Sequence, residues 1–390
     1  MKKQILLSHG GGGEEMNSLI NDTIFKAFDN EILRRANDSA ILNFPLDLDK
    51  NFDIISANFG DKTDYFNEKS QNFDVSNLNG QNKTDNMNFN VQNCHNKKNT
   101  QILCGNLAFT TDSFVVTPLF FNGGDIGKIA VCGTVNDLAM VGAKPLFLSC
   151  AFIIEEGLEI DTFERILNSM AKTAKEAGVK IVCGDTKVVP RGSGDQIFIN
   201  TSGIGQILKA GVQMDCVKKG AKVLVSGDIG RHGAVIMAAR DEISVSTDLK
   251  SDCKSLNAAV TELLKNDVKI LALRDTTRGG LSAVLNEFAQ HLNCEISIRE
   301  NDIKVAPEVL GICELLGFEP YDLANEGTFV AFVEDGDEIK ALEILRKFNE
   351  NAAIIGEVTQ NEKGRVILQN AYGTERFLEF PKGELLPRIC

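Results

Sequence analysis

The sequence predicts a mixed α/β protein of two domains, and three observations carry that reading. At 390 residues the chain exceeds what a single hydrophobic core usually serves. In the stretch from Thr110 to Pro145, TTDSFVVTPLFFNGGDIGKIAVCGTVNDLAMVGAKP, an apolar β-rich run, a glycine turn and a helical repeat follow one another. Beyond residue 220 the same alternation of strand, turn and helix returns.

Residues 8–13, Ser-His-Gly-Gly-Gly-Gly, precede a helical pattern from about Glu14 to Phe28. Four glycines let a backbone fold closely over a ligand, so a phosphate lid and an unstructured terminus both fit the segment. Asn37-Asp38-Ser39-Ala40 reads as a turn into a strand at Ile41-Leu42. Residues 50–101 differ in kind, with 13 asparagines between Asn51 and Asn99 and few aliphatics. Such a segment buries too little apolar surface to offset its ordering entropy, so an insertion on a surface loop is expected.

In the central stretch, Phe114–Phe121 reads as a buried strand and Asn122-Gly123-Gly124 as a turn. Asp125 is placed to cap a helix whose apolar positions run from Ile126 to Ala139, with Gly142 as its terminating glycine. Asp112 enters the strand and Asn136-Asp137 lie in the helix. Carboxylates converging from two such elements suit Mg²⁺ and its phosphates, although a cap at Asp125 and a solvated Asp137 satisfy the pattern equally well. A P-loop is excluded: Asn122 stands where its first glycine belongs, and Ile129 follows Lys128 where Ser or Thr is required.

Strands are predicted at Leu146–Ile154, Val179–Val189 and Gln196–Leu208, with a helix over Leu158–Ala177 closed by Gly178. Gly184-Asp185-Thr186-Lys187 interrupts the middle strand, which marks a bulge or a close approach. The second half reads as strand Lys222–Ser226, helix Gly233–Arg240, helix Ser255–Leu264 and the glycine-opened helix of Arg274-Asp275-Thr276-Thr277-Arg278-Gly279-Gly280-Leu281. Strand Glu295–Arg299, helix Pro307–Leu316, strand Thr328–Val333, helix Asp337–Lys347 and strand Ile354–Val358 complete it.

A net charge of −13 argues against nucleic acid and anionic membranes as partners, while a metal-carried phosphate ligand remains compatible. No run is long enough to span a bilayer, and the short apolar stretch after Met1-Lys2-Lys3 predicts no secretory leader. The ten cysteines form no C-x-x-C pair and the four histidines no local cluster, which predicts reduced thiols in the cytoplasm and no structural zinc.

Several blocks together resemble the HypE family of hydrogenase maturation factors, the carbamoyl dehydratases that make the cyanide ligands of nickel–iron hydrogenases. They are SHGGGG, the extended FFNGGDIGKIAVCGTVNDLAM, IVCGDTKVVPRG, RDTTRGGL, ANEG and the terminal PRIC. SHGGGG, IVCGDTKVVPRG and RDTTRGGL are shared more broadly with aminoimidazole-ribonucleotide synthetase, selenophosphate synthetase and thiamine-monophosphate kinase, the PurM-like superfamily. Asn37-Asp38-Ser39-Ala40 departs from the superfamily's Asp-Asp-Ala-Ala, and the Asn-rich insertion is outside its pattern.

The resemblance implies a PurM-like two-domain fold, a homodimer with a shared β-barrel, and ATP with Mg²⁺ in a cleft at that interface. It divides the chain into an arm and first helix (1–49), the insertion (50–101), the remainder of an ATP-binding dimerisation domain (102–157), a C-terminal α/β domain (158–365) and a flexible tail (366–390). Asp112, Asp137, Asp275 and Asp38 would hold metal-bound phosphates. Gly10, Gly11, Gly12 and Gly13 would close over the nucleotide, with Thr110, Thr111, Asp112, Asn136, Asp137 and Asp185 around it. Cys390 would carry the carbamoyl group, and ATP would phosphorylate the amide oxygen so that phosphate leaves in its place. Glu326 would take the proton from nitrogen, with Lys187 polarising the oxygen or orienting Glu326. A HypF-like carbamoyltransferase would load the tail and a HypC–HypD-like complex would accept the cyanide.

Taken one at a time, the same residues read as an incidental thiol, a solvated turn glutamate, an edge-strand lysine and, at Asp228 and Asp275, helix caps. A selenophosphate synthetase or small-molecule kinase, and a non-catalytic scaffold, are the competing readings. The glycine loop Ser8–Met16 lacks the cysteine expected of the first.

Overall fold

The computed structural model describes residues 14–19, 21, 40–46, 103–240, 247–361, 363–381 and 388–390. The chain divides into one unit of Met1–Leu42 with Leu107–Cys390 and a second of Asn43–Asn106. Of the second unit only the end of one strand and the start of the next are described. Gly10–Gly13, Asp38 and the insertion at 50–101 lie outside the described residues.

Helix α1 (Glu14–Leu19) and strand β1 (Ala40–Leu46) precede β2 (Leu103–Phe114). A short hairpin, β3 (Phe120–Phe121) and β4 (Gly124–Asp125), then delivers the chain into α2 (Ile126–Met140). Strand β5 (Ala143–Glu155), helix α3 (Ile160–Ala177) and strands β6 (Lys180–Val189) and β7 (Ile197–Ile207) follow. They complete a five-stranded sheet of order β1-β2-β7-β5-β6. The next elements are β8 (Lys222–Val225), α4 (Arg231–Ala238), α5 (Asn257–Lys265), β9 (Ile270–Asp275) and α6 (Gly280–His291). After them come β10 (Cys294–Arg299), α7 (Pro307–Leu316), β11 (Phe329–Val333) and α8 (Glu338–Leu345). With β12 (Ala353–Asn361), β13 (Arg365–Gln369) and β14 (Glu375–Phe377) they give a seven-stranded sheet of order β14-β13-β10-β12-β8-β11-β9.

Helix α2 is the hub. The side chain of Asp125 accepts the Lys128 N–H at 3.0 Å and so caps it, and Gly142 closes it at φ +70° with its N–H on the Ala139 carbonyl. Ile126, Ile129, Val131, Val135 and Leu138 are buried on all sides of the helix, which is the signature of a helix inside a core rather than on one. It packs against α3, β5 and β7 and also against α5 and β9. Each of its large aliphatic side chains contributes about 1.5–3 kcal/mol of burial. By contrast α3 buries one stripe, Ile166, Met170, Thr173, Ala174 and Ala177, as a covering helix does.

Four expectations about organisation are corrected. The boundary expected at 157/158 falls inside the first sheet, because β6 pairs parallel with β5 and β7 antiparallel with both β5 and β2. A parallel pair needs a crossover, and α3 supplies it, so the sheet extends to Ile207. The tail expected from residue 366 starts too early, since β13 and β14 belong to the second sheet and Val366, Leu368 and Leu378 are buried. The strand expected over Phe114–Phe121 ends at Phe114, with Pro118 unable to donate to a ladder. The strand expected to break at Gly184–Lys187 is continuous. There β6 runs so close to β5 that a Cβ on Gly184 would lie 2.0 Å from the Cys150 carbonyl oxygen.

Candidate active site

The stretch that fails as a strand receives the chain terminus instead. Val116 bridges Ile389 in antiparallel fashion, Val115 N–H donates to the Cys390 carbonyl at 3.0 Å, and Thr117 N–H donates to the Arg388 carbonyl at 3.2 Å. Arg388 pairs with Asp195 at 3.0 Å, and Arg240 donates to the Arg388 carbonyl at 3.3 Å. Ile389 is buried in the core that also contains Phe121, Val131 and Val235. Residues 388–390 are thus docked by strand addition, the backbone giving register and the flanking charges direction.

Cys390 ends against Glu326. Its thiol hydrogen-bonds to the Glu326 carboxyl, and burial first, then Glu326 and Asp112, push its proton affinity up against the opposing charge of Arg278. The unmodified thiol is therefore held protonated at neutral pH in this docked position. A thiolate nucleophile is favoured by the opposite surroundings.

Glu326 stands on a loop held from two directions. Asp252 accepts from Glu326 N at 3.1 Å, Gly327 N at 3.0 Å, Asn325 Nδ2 at 3.0 Å and Thr328 Oγ1 at 3.2 Å. Lys254 N donates to the Glu326 carbonyl at 3.3 Å. Gly327 is required here, since a Cβ would lie 1.8 Å from the Asp252 carbonyl oxygen. The side chain is 2% exposed, yet its Oε1 has no hydrogen-bond partner. Burial first, then Asp275, Asp252 and Asp112, raise the proton affinity of this carboxyl well above the usual range. A rigid, desolvated carboxyl with a vacant acceptor beside the terminal sulfur is suited to taking a proton from a group carried on that sulfur.

Asp112, at the end of β2, and Asp275, at the end of β9, share the cleft. Burial and the neighbouring Asp112 push Asp275 up to about 6, with Arg274 and Arg278 opposing. Burial likewise raises Asp112 against Arg278. Asp137 accepts from Thr110 Oγ1 at 2.8 Å. Arg278 faces Cys390, Asp112, Glu326 and Asp137, and these raise its own proton affinity further. Gly133 leaves the room for α2 to pass, since a Cβ there would meet the Phe114 ring at 2.8 Å and Asp112 Oδ2 at 3.5 Å.

Among the described residues no three His, Cys, Asp or Glu side chains are placed to hold one metal ion by themselves. The cleft nevertheless fits a divalent cation that brings phosphate oxygens as further ligands. Its donors are hard carboxylates, burial raises the proton affinity of both Asp112 and Asp275, the charge of Asp112 raises that of Asp275 further, and a cation would relieve both.

Other expected contacts are placed differently. Asn136 is engaged within the protein: its Oδ1 accepts from Leu256 N at 2.8 Å, and its Nδ2 donates to the carbonyls of Lys254 and Glu326. It is a brace for the Glu326 loop, because an amide on a fully buried helix must find its partners inside. Thr111 is exposed and bonded within the sheet to Thr201, Asn200 and Ser202. Lys187 and Asp185 sit on the exposed edge strand β6 and bind each other at 2.7–2.8 Å. Lys187 is therefore not brought to Glu326 within this chain. Alternating pleat directions keep an edge position of β6 on the sheet's own face.

Arg278, Asp252 and His232 were not singled out from the sequence. Arg278 was legible in RDTTRGGL, where only the aspartate was taken. Asp252 was not, because its partners lie 73–76 residues away.

The chain matches the AIR synthase related proteins, their N-terminal domain over residues 101–207 and their C-terminal domain over residues 218–369. It is 48% identical over 288 residues, 73% of this chain and 84% of the relative, to the carbamoyl dehydratase HypE of Rhodobacter capsulatus. A crystal structure of a HypE–HypF complex contains a chain that is 41% identical and superposes with a TM-score of 0.74, covering 93% of this chain and 100% of the other. A crystal structure of the hydrogenase maturation protein HypE in complex with ATP is 37% identical, with a TM-score of 0.70 over 99% of this chain and 100% of the other. Fold, docked PRIC terminus and relatives agree, and the chain belongs to the HypE family of carbamoyl dehydratases.

Proposed function

We propose that this protein converts an S-carbamoyl group on Cys390 to S-cyanate with consumption of ATP, supplying the cyanide ligands of nickel–iron hydrogenase. The observation that carries this reading is the docked terminal cysteine, its sulfur against a buried glutamate with one unpartnered oxygen. Bound ATP, with Mg²⁺, supplies the phosphoryl group that turns the amide oxygen into a leaving group.

The protein's own residues do the rest. Backbone pairing of 388–390 with 115–117 holds the S–C(=O)–NH₂ group still in the cleft. Arg278 lies beside Cys390 and polarises the carbonyl oxygen, the role expected of Lys187 from the sequence. Forming the nitrile removes both N–H protons, one as the oxygen is phosphorylated and one as phosphate departs. Glu326, as its carboxylate, accepts the first at its unpartnered oxygen, and the second leaves with the departing phosphate as HPO₄²⁻. Asp112, Asp137 and Asp275 would hold the cation, joined by Asp38 on its motif alone, and Gly10–Gly13 would close over the nucleotide on theirs.

The reaction implies a HypF-like carbamoyltransferase that loads Cys390 and a HypC–HypD-like acceptor. Both need the tail undocked, since the docked Cys390 is half-buried against Glu326 and its thiol is held protonated. Cytoplasmic residence suits the free thiols, and no helix among the described residues is long and apolar enough to cross a membrane. Homodimerisation through the first sheet accounts for the apolar residues left exposed on its edge strand, Ile181, Val182 and Val188. A Val182→Lys variant is expected to sediment as a monomer while melting within a few degrees of wild type, because Val182 is 59% exposed in the single chain. An unchanged dimer would move the interface elsewhere.

The deciding experiment is intact mass after incubation with the carbamoyltransferase, carbamoyl phosphate, ATP and Mg²⁺, on wild type and Cys390→Ala. A carbamoyl-sized gain that becomes a cyano-sized gain in the wild type alone is expected. ATP turnover on a free small molecule without any adduct would replace this reading with a kinase or synthetase.

A further inference from the structure

His232 lies on α4, fully buried, and both of its ring nitrogens are engaged. Nε2 is 2.7 Å from the carbonyl oxygen of Ile389, and Nδ1 is 2.8 Å from Ser251 Oγ. A carbonyl only accepts, so Nε2 must carry a proton. Ser251 Oγ already accepts from Cys253 N at 3.1 Å, which leaves its own hydrogen to donate to Nδ1. The two contacts together select one neutral tautomer, consistent with the burial that depresses the ring's proton affinity. Phe121 meets the ring edge-on, with centroids 5.3 Å apart, and fixes its plane.

The same short segment also fixes Glu326. Ser251 N donates to the Asn122 carbonyl at 2.9 Å, and the next residue, Asp252, holds the 325–328 loop through the four hydrogen bonds described above. Adjacent residues therefore carry the two halves of the reacting pair, Ser251 through His232 to the tail and Asp252 to Glu326. A histidine that only filled core volume would not direct its single N–H at the carbonyl next to the chain's last residue.

We propose that His232 is a positioning residue for the dehydration, its Nε2–H holding the Ile389 carbonyl so that modified Cys390 meets Glu326 in one register, with Ser251 fixing the required tautomer. The proposal rests on the dehydratase reading and adds the group that sets the reacting distance. His232 touches neither the carbamoyl group nor Glu326 and acts only through the backbone of the tail.

The test compares His232→Gln, whose side-chain amide can present a donor near the Nε2 position, with His232→Asn, whose amide reaches only the Nδ1 position. Cys390 is first loaded by the carbamoyltransferase, then ATP and Mg²⁺ are added and conversion to the cyano form is followed by intact mass. Loading is expected to be unchanged in both variants, because it uses the undocked tail. Conversion is expected to stay within about 3-fold of wild type for Gln and to fall by about 10- to 100-fold for Asn, the range for a buried carbonyl left unpaired. Asn converting at the wild-type rate, or Gln and Asn falling alike, would overturn the proposal. If neither variant melts cooperatively, Ser251→Ala decides. Conversion slowed about 3- to 10-fold with loading intact supports the tautomer lock, and unchanged conversion removes it. A wild type that loads but never converts sinks the dehydratase reading and this proposal with it, and that outcome is visible before any variant is compared.

Discussion

Replacing Glu326 by glutamine is expected to slow conversion of carbamoylated Cys390 by about 10²- to 10⁴-fold, the usual contribution of a positioned general base, while leaving folding and Cys390 loading intact. Its carboxyl is buried, and burial together with Asp275, Asp252 and Asp112 raises its proton affinity well above that of an ordinary glutamate. In the ligand-free protein the group is therefore neutral over much of the acid range, and a neutral amide of the same shape costs the core little. The stability consequence has a definite sign. A carboxyl with a raised folded-state pKa contributes most favourably at low pH, and that contribution is lost as pH rises through the folded value. Wild type and Glu326→Gln should thus melt alike in acid, and the variant should melt higher at alkaline pH. Single-turnover mass measurements and thermal melts at the two ends of the pH range check both halves. A glutamine variant that turns over at the wild-type rate would leave Glu326 with no part in proton transfer.

Asp275→Asn is expected to separate stability from activity. Asp275 is buried at the end of β9 and pushed from 3.8 to about 6 by burial and by Asp112. Between those two values the unfolded chain is ionised and the folded one still protonated, so wild-type stability declines as pH rises across that window and stays lowered above it. The asparagine variant lacks this decline. Without ligands it should gain on the order of 2 kcal/mol at neutral pH, with no difference below about pH 4, because a shift of this size is shared with Asp112. Mg²⁺ and ATP should reverse the order. They are expected to stabilise the wild type measurably and the variant far less, while conversion at Cys390 falls by at least about 100-fold. Urea unfolding with and without the nucleotide reads the first effect, and single-turnover conversion the second. If the nucleotide stabilised both proteins equally, Asp275 would not be among the groups that hold the cation.

How far the sequence carries can be judged from particular residues. Helix α2 was legible in its apolar spacing, in Asp125 before it and in Gly142 after it. Helix α7 was legible from Pro307 to Leu316, because proline at the start and Gly317 at the end are both local signals. The glycine-opened helix after Arg278 was legible in the same local way, from Gly279-Gly280 at its start. Asp112, Asp137, Asp275 and the terminal Cys390 stand out as candidates through the motifs that carry the family resemblance.

What only the tertiary structure decided has a common cause. Val115 to Leu119 looks like a strand by composition, yet its partner is the tail, Val116 with Ile389, and no local period encodes a pairing of that sequence separation. Asn136 has the chemistry of a ligand but spends all its bonds on Lys254, Leu256 and Glu326. Lys187 lies on the exposed edge strand β6 paired with Asp185, while Arg278 is the cation whose charge acts on Cys390 within this chain. Asp252 and His232 acquire their roles only when Ser251 and its neighbour are brought between the tail and the Glu326 loop. Periodicity and capping act within a few residues, so most helices, their caps and the chemical inventory are readable in the chain, whereas strands β13 and β14 are not. Which donor meets which acceptor was left to the fold, because buried polar groups must be satisfied by whatever the packed chain delivers to them.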